Sequence, residues 1–397
     1  MKMYQEIVLK PKKDESLRRF HPWVFSGAIV PTAVMPAEGE VVRVLAADGS
    51  FLGVGHYQAG SISVRILSFR DEPIDRSFYR TALTCAYRLR RQLQLVRSDQ
   101  NTYRLVHGEG DYLPGLIIDM YGDTAVIQAH SVGMHRDLEQ ITSALKEVMP
   151  SGELKHIFYK SEGTLPFKAG LAAEDGYLWG GEEVEAIAVE NGLRFHIDWL
   201  KGQKTGFFVD QRENRKLLEQ YAAGRRVLNM FCYTGGFSVY ALRGGAVQVD
   251  SVDSSSRAVS LTDRNVALNF GEEPRHNAFA EDAFRFLKEI PEGKYDLIVL
   301  DPPAFAKHRG AVNHALQGYK KLNLSAFGKI APGGILFTFS CSQVITREQF
   351  RLAVFSAAAI SGRKVRILHQ LTQPADHPIN IYHPEGEYLK GLVLQVE

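Results

Sequence analysis

The chain has 397 residues, enough for two or three domains that each bury a core of their own. Hydrophobic residues at 45% and charged residues at 23% exclude a disordered or collagen-like chain, and a net charge of +2 excludes a uniformly basic one. Three cysteines, Cys85, Cys232 and Cys341, are too few and too scattered for a disulfide framework or a short-spaced zinc site, so a reduced protein without a metal centre is expected. No apolar run approaches about 18 residues and no signal-peptide pattern opens the chain, which predicts a cytoplasmic location.

Residues 1–74 read as a small all-β unit: Val41 to Leu45 and Ser61 to Leu67 alternate in character and are separated by Asp48-Gly49 and glycines 53, 55 and 60. The charge is uneven. Positions 1–104 hold 16 Lys+Arg against 10 Asp+Glu, so the front of the chain is basic and the remainder slightly acidic. Between positions 76 and 104, seven arginines face only Asp99 among acidic residues, and Phe78, Leu83, Leu89, Leu93 and Val96 supply an apolar stripe. The pattern predicts an amphipathic helix with an arginine face. Arg88, Arg90 and Arg91 are candidate phosphate contacts, because guanidinium forks match phosphate oxygens; the alternative is a solvated helix face. Residues 75–188 continue as α+β, with a hairpin across Tyr121-Gly122-Asp123, a helix near Met134 to Met149, and a strand near His156; a second tight hairpin is expected at Asn191-Gly192.

Residues 189–397 change character. Apolar runs at 226–231, 247–252, 295–300, 335–339, 365–371 and 388–396 are mostly separated by helical stretches, the pattern of a doubly wound α/β sheet. Ligands of such sheets bind beyond the carboxyl ends of the strands, where the strand order reverses. The first run leads into Phe231-Cys232-Tyr233-Thr234-Gly235-Gly236, whose paired glycines allow a tight turn, although the Gly-x-Gly-x-x-Gly spacing of a dinucleotide site is absent. Asp253, 18 residues after Gly235, stands where a carboxylate can accept from ribose hydroxyls, so a nucleoside cofactor is expected. Asp282 can take an adenine amine or cap a helix. Asp301-Pro302-Pro303 joins a carboxylate to a rigid elbow suited to holding a flat base or amine. Cys341, between Ser340 and Ser342, leaves the same edge and is the best nucleophile of the three thiols.

Taken together, these strings resemble the bacterial 23S ribosomal RNA large-subunit methyltransferase I type of cytosine-5 methyltransferase. The marks are His21 to Gly27, Lys204 to Arg212, Phe231 to Phe237, Asp301-Pro302-Pro303, Phe339 to Ser342, Ala375 to Pro378 and Tyr388 to Gly391. The resemblance implies an RNA-binding PUA domain, a central α+β domain and a Rossmann-like domain that binds S-adenosylmethionine. It assigns Gln211, Arg212, Phe231, Tyr233, Thr234, Gly235, Gly236, Asp253, Ser254, Asp282, Asp301 and Pro302 to the cofactor, with Asp210-Gln211-Arg212 closing over it. Asp210 as a helix cap is the plain alternative. Cys341 would attack carbon 6 of the cytosine and Asp301 would hold the base, which must be single-stranded or flipped out. The partner would be 23S ribosomal RNA, with no membrane; monomer and homodimer are both open. In the wider class of two-cysteine enzymes a second cysteine stands where this chain has Ala304, so the product-release thiol has no counterpart. The rivals are an RNA amine methyltransferase, which needs no Cys341, and a non-catalytic RNA-binding assembly protein; an NAD-dependent enzyme lacks its turn.

Overall fold

The computed structural model describes residues 4–166, 173–181 and 186–397. It divides into two compact units: Met1–Asn191 with Ile197–Val209 and Ala375–Gly386, and Gly192–His196 with Asp210–Pro374 and Glu387–Glu397. This differs from a boundary at residue 189, because Ile197–Val209 and a short segment near the carboxyl terminus belong to the first unit.

The first unit contains two five-stranded sheets. The amino-terminal sheet runs in the order Gln5–Val8, Val41–Leu45, Phe51–Tyr57, Ile62–Ser68, Trp23–Phe25, and its alternation of buried and open positions along Val41–Leu45 is the period-two pattern of a strand with one face inward. The second sheet is ordered Gly176–Trp179, His156–Tyr159, Thr124–Ala129, Leu116–Tyr121, Thr102–His107. The hairpin expected at Gly122 is present, with Tyr121 opposite Thr124. At Asn191 and Gly192 the backbone takes φ of +48° and +79°, the left-handed pair that a tight turn requires.

The predicted arginine helix spans Arg76–Gln92 and is capped by Asp75, whose carboxylate accepts from Ser77 N at 2.8 Å. Tyr79, Leu83, Ala86, Tyr87 and Arg90 form its buried stripe, at the spacing of one helical face. Arg90 therefore does not lie on the exposed face expected to meet phosphates. It is fully buried, holds Asp111 with both terminal nitrogens, and donates to the carbonyls of Arg104 at 2.7 Å and Asp376 at 2.8 Å. The composition of the helix concealed this, since its partners lie 14 to 286 residues away in the chain. Arg97 and Arg104 lie beyond the helix and pair with Asp99 and Asp119 at 2.8 Å each. Arg88 and Arg91 are exposed. The segment that returns from the carboxyl terminus is pinned here as well: the Asp376 carboxylate accepts from Arg104 N at 3.0 Å, and a Cβ on Gly110 would sit 1.9 Å from the carbonyl oxygen of Pro378.

The second unit is a seven-stranded sheet. Numbered within this unit, its strands are β1 (Arg226–Met230), β2 (Gln248–Asp253), β3 (His276–Ala280), β4 (Tyr295–Leu300), β5 (Ile330–Ser340), β6 (Val365–Leu371) and β7 (Lys390–Val396). The order is β3-β2-β1-β4-β5-β7-β6, with β7 antiparallel to both neighbours and the rest parallel. Leu297, Ile298, Val299 and Leu300 are fully buried in β4. Each such side chain contributes about 1.5–3 kcal/mol relative to leaving it exposed. The edge strands depart from the expected apolar runs. β3 has no such run and β6 is mostly open on its length, because an edge strand is not covered on both faces. The strand order reverses at β1 and β4, where Met230 lies opposite Leu300, so the segments after Met230 and after Leu300 start side by side.

Candidate active site

The turn after β1 is bent by three left-handed residues, Phe231, Tyr233 and Gly235, at φ of +58°, +48° and +78°. Two of them are not glycine, and such backbone persists where its surroundings hold it. Those supports are visible. Tyr233 N donates to the Asp253 carboxylate at 3.0 Å, Thr262 Oγ1 donates to Tyr233 O at 2.9 Å, and Asn265 Nδ2 donates to Thr234 O at 2.9 Å. Gly235 has no alternative residue: beyond its φ, a Cβ would lie 2.5 Å from the Thr262 methyl. Gly236 opens the following helix, Gly236–Arg243, with Arg215 against it. Cys232 is buried in this turn, 3.8 Å from Thr262 Oγ1, so it is a packed side chain of the turn; burial pushes its thiol up.

Asp253 ends β2 with one oxygen on Tyr233 N and the other on Ser255 N at 2.9 Å, and Ser254 beside it is exposed. Asp282 caps the helix Ala283–Glu289 through Arg285 N at 2.9 Å, the plain alternative weighed for it. Asp210 is not a cap. The helix Arg212–Tyr221 has Gln211 at its cap position with no side-chain bond to it, while Asp210 accepts from Tyr388 OH at 2.8 Å. Gln211 bridges instead: its Nε2 donates to Asp301 at 3.0 Å and its Oε1 accepts from Asn214 at 2.6 Å. Arg212 is buried beside them, with its Nε on Glu213 at 3.0 Å.

Asp301 follows β4 directly. Burial, and then the charge of Asp210, push its carboxyl up to about 7, against the pull of Gln211 and Arg215. Cys341 follows β5, and its thiol approaches the carbonyl oxygen of Pro302 at 3.9 Å. The expected elbow and the expected nucleophile are thus in contact. Burial first, then the Asp301 and Asp210 carboxylates, push this thiol up to about 12. Ser340 and Ser342, the hydroxyls on either side, both bond Tyr319 OH at 3.0 Å and face inward.

One residue of this cluster has no counterpart among the sequence candidates. Lys390, on β7 opposite Ser340, is buried and donates to Ser342 O at 2.7 Å. Its signal was the Tyr388-Leu389-Lys390-Gly391 string, where a lysine interrupts an otherwise apolar strand.

The turn and its carboxylates fit S-adenosylmethionine. Asp210 Oδ1 is buried without a hydrogen-bond partner beside the Asp301 carboxyl, and a cationic ligand satisfies that oxygen. For metals, the described residues offer one group, His21, His383 and Glu385, in the first unit with ligand atoms within 4.8 Å of one another. Trp23 N donates to His21 Nδ1 at 3.2 Å, which leaves the ring proton on Nε2, the nitrogen 3.6 Å from Glu385. In that tautomer His21 offers this group no lone pair. Among the described residues no helix is long and apolar enough to cross a membrane.

Residues 109–380 match the model of an S-adenosylmethionine-dependent methyltransferase family, and residues 7–69 match a PUA-like domain. The chain is 41% identical over 99% of its length to the whole ribosomal RNA large subunit methyltransferase I of Tolumonas auensis, and 41% identical over 98% to 99% of the protein of the same name from Shewanella amazonensis. A solved Streptococcus mutans chain, named as an S-adenosylmethionine-dependent methyltransferase, aligns over 99% of this chain and 100% of its own at TM-score 0.83 and 22% identity. A second solved chain, named as a methyltransferase complexed with SAH, aligns over the same shares at TM-score 0.84 and 23% identity. These two likenesses are of fold.

Proposed function

From the premise that the chain belongs to the ribosomal RNA large subunit methyltransferase I family of S-adenosylmethionine-dependent enzymes, we propose that it methylates carbon 5 of a cytosine in 23S ribosomal RNA through a covalent adduct with Cys341. The observation that carries this reading is the meeting of Cys341 with the Asp301-Pro302 elbow, Sγ to Pro302 O, 3.9 Å. Carbon 5 of cytosine is a weak nucleophile. Addition of the Cys341 thiolate to carbon 6 moves the ring electrons toward carbon 4 and the ring nitrogen, leaving carbon 5 electron-rich. Asp301, whose carboxyl sits near 7, is partly protonated at neutral pH; it gives its proton to ring nitrogen 3 as sulfur adds, and its other oxygen accepts from the exocyclic amine. When bound, S-adenosylmethionine supplies the methyl group, held by the turn from Phe231 to Gly236 with Asp253, Ser254, Asp282, Pro302, Gln211 and Arg212 around it. To finish, the proton on ring nitrogen 3 returns to Asp301, carbon 5 loses its own proton to a base, and the sulfur–carbon 6 bond breaks.

RNA containing 5-fluorocytosine tests this. Fluorine cannot leave as the carbon 5 proton does, so the wild-type protein is expected to remain on the RNA as a denaturation-resistant adduct. No adduct under conditions that methylate ordinary RNA would sink the covalent reading. Asp301→Asn keeps an oxygen for the amine but has no proton to give, and a fall of roughly 10²–10³ in single-turnover methylation is expected.

For the RNA surface, the PUA-like domain and the exposed Arg88 and Arg91 support a phosphate-binding front. Arg88→Ala with Arg91→Ala is expected to lower the slope of log affinity against log salt by roughly 1.4 to 1.8, the share of two phosphate contacts. An unchanged slope would return this face to plain solvation.

A further inference from the structure

A thiol pushed up to about 12 yields almost no thiolate at neutral pH, so Cys341 needs a partner that takes its proton. The neighbouring hydroxyls do not serve: Tyr319, Ser340 and Ser342 are bonded to one another at 3.0 Å. Asp301 is held by Gln211 and is committed to the base. Asp210 has one oxygen engaged with Tyr388 OH at 2.8 Å, and its other oxygen is the one assigned to the cationic cofactor.

Lys390 differs in each respect. It is placed by the β5–β7 pairing, in which it faces Ser340, one residue before the nucleophile. It is 3% exposed and its amine is anchored on the carbonyl of Ser342, one residue after the nucleophile. Among the described residues it makes no ion pair within 4.0 Å, an unusual state for a buried lysine. The lysine and the thiol act on each other electrostatically.

Building on the covalent reading above, we infer that Lys390 is the proton acceptor for Cys341. The sulfur–hydrogen bond breaks, the proton forms a new bond to the neutral Lys390 nitrogen, and the electron pair stays on sulfur. A neutral pair becomes a thiolate facing an ammonium, so the transfer creates the cation that holds the nucleophile in its charged form. Burial brings the Lys390 ammonium down to about 8, so the accepting amine grows as pH rises through that value. The charged groups facing the pair are Asp301 and Asp210 on the thiol side and Glu387 and Arg347 on the lysine side.

The test follows alkylation of Cys341 by iodoacetamide against pH, read by mass spectrometry on the Cys341 peptide because Cys85 is exposed and reacts as well. Adduct formation with 5-fluorocytosine RNA is measured in parallel. The wild-type rate is expected to rise with a midpoint near 8. In Lys390→Met both rates are expected to fall by roughly a hundredfold, the low end of general-base effects, and the midpoint to vanish. Lys390→Arg keeps a charge but cannot give up its proton, so it is expected to lose the midpoint too. Equilibrium binding of S-adenosylmethionine reports that each variant is folded. A midpoint unchanged in Lys390→Met, or Lys390→Arg behaving as wild type, would overturn the inference while leaving the covalent reading intact. Absence of any adduct with the wild-type protein would instead remove the reading beneath it.

Discussion

Cys341→Ala is expected to reduce methylation by about ten-thousandfold or more, the scale on which loss of a nucleophile acts, while S-adenosylmethionine binding stays near wild type. The two readouts separate because Cys341 follows β5, whereas the turn assigned to the cofactor follows β1 and is held by Asp253, Thr262 and Asn265. The substitution removes one sulfur from a half-buried position and leaves the Ser340–Tyr319–Ser342 bonds in place, so no loss of fold is expected to imitate the effect. An amine methyltransferase built on the same Asp301-Pro302-Pro303 elbow gives the opposite result, since its substrate nitrogen is already a nucleophile. Full methylation by Cys341→Ala would decide for it. Cys232→Ala is the internal control: that thiol packs against Thr262 in the turn, and its replacement is expected to leave the 5-fluorocytosine adduct intact.

The strands that build this site were legible because they are buried on both faces. Val227, Leu228 and Met230 in β1 and Leu297 to Leu300 in β4 are fully buried, and the end of each apolar run marks where a functional turn begins. The Asp301 elbow and the Cys341 candidate were read that way. Lys390 was not, because its meaning comes from the antiparallel register that sets it against Ser340, and pairing across about 50 residues of chain is not written in local pattern. The half-exposed strand β3 has no apolar run, and only the Glu281-Asp282 pair that follows it marks its end. Asp282 and Asp210 show how one residue type serves two ends. Both precede helices, yet Asp282 caps its helix and Asp210 turns to Tyr388, a partner 178 residues away.

Arg90 is where the difference between composition and structure has its largest measurable consequence. Arg88, Arg90 and Arg91 look equivalent in a basic run, but the helical period puts only Arg90 on the buried stripe with Tyr79, Leu83 and Tyr87. There its guanidinium meets both oxygens of Asp111, whose Oδ2 also accepts from His107 N at 2.7 Å, and the carbonyls of Arg104 and Asp376. Removing the arginine strands a buried carboxylate and two carbonyls at once. Breaking a buried pair from one side costs about 3–5 kcal/mol, so Arg90→Ala is expected to shift chemical denaturation by that amount. Arg88→Ala, on the exposed side of the same helix, is expected to stay within about 0.5 kcal/mol. RNA binding should invert the order: Arg88→Ala lowers the salt slope, and Arg90→Ala leaves it unchanged wherever the variant remains folded. A stable Arg90→Ala variant with a reduced slope would mean that this side chain leaves its pocket to meet RNA, which the carboxylate it abandons in the interior makes costly.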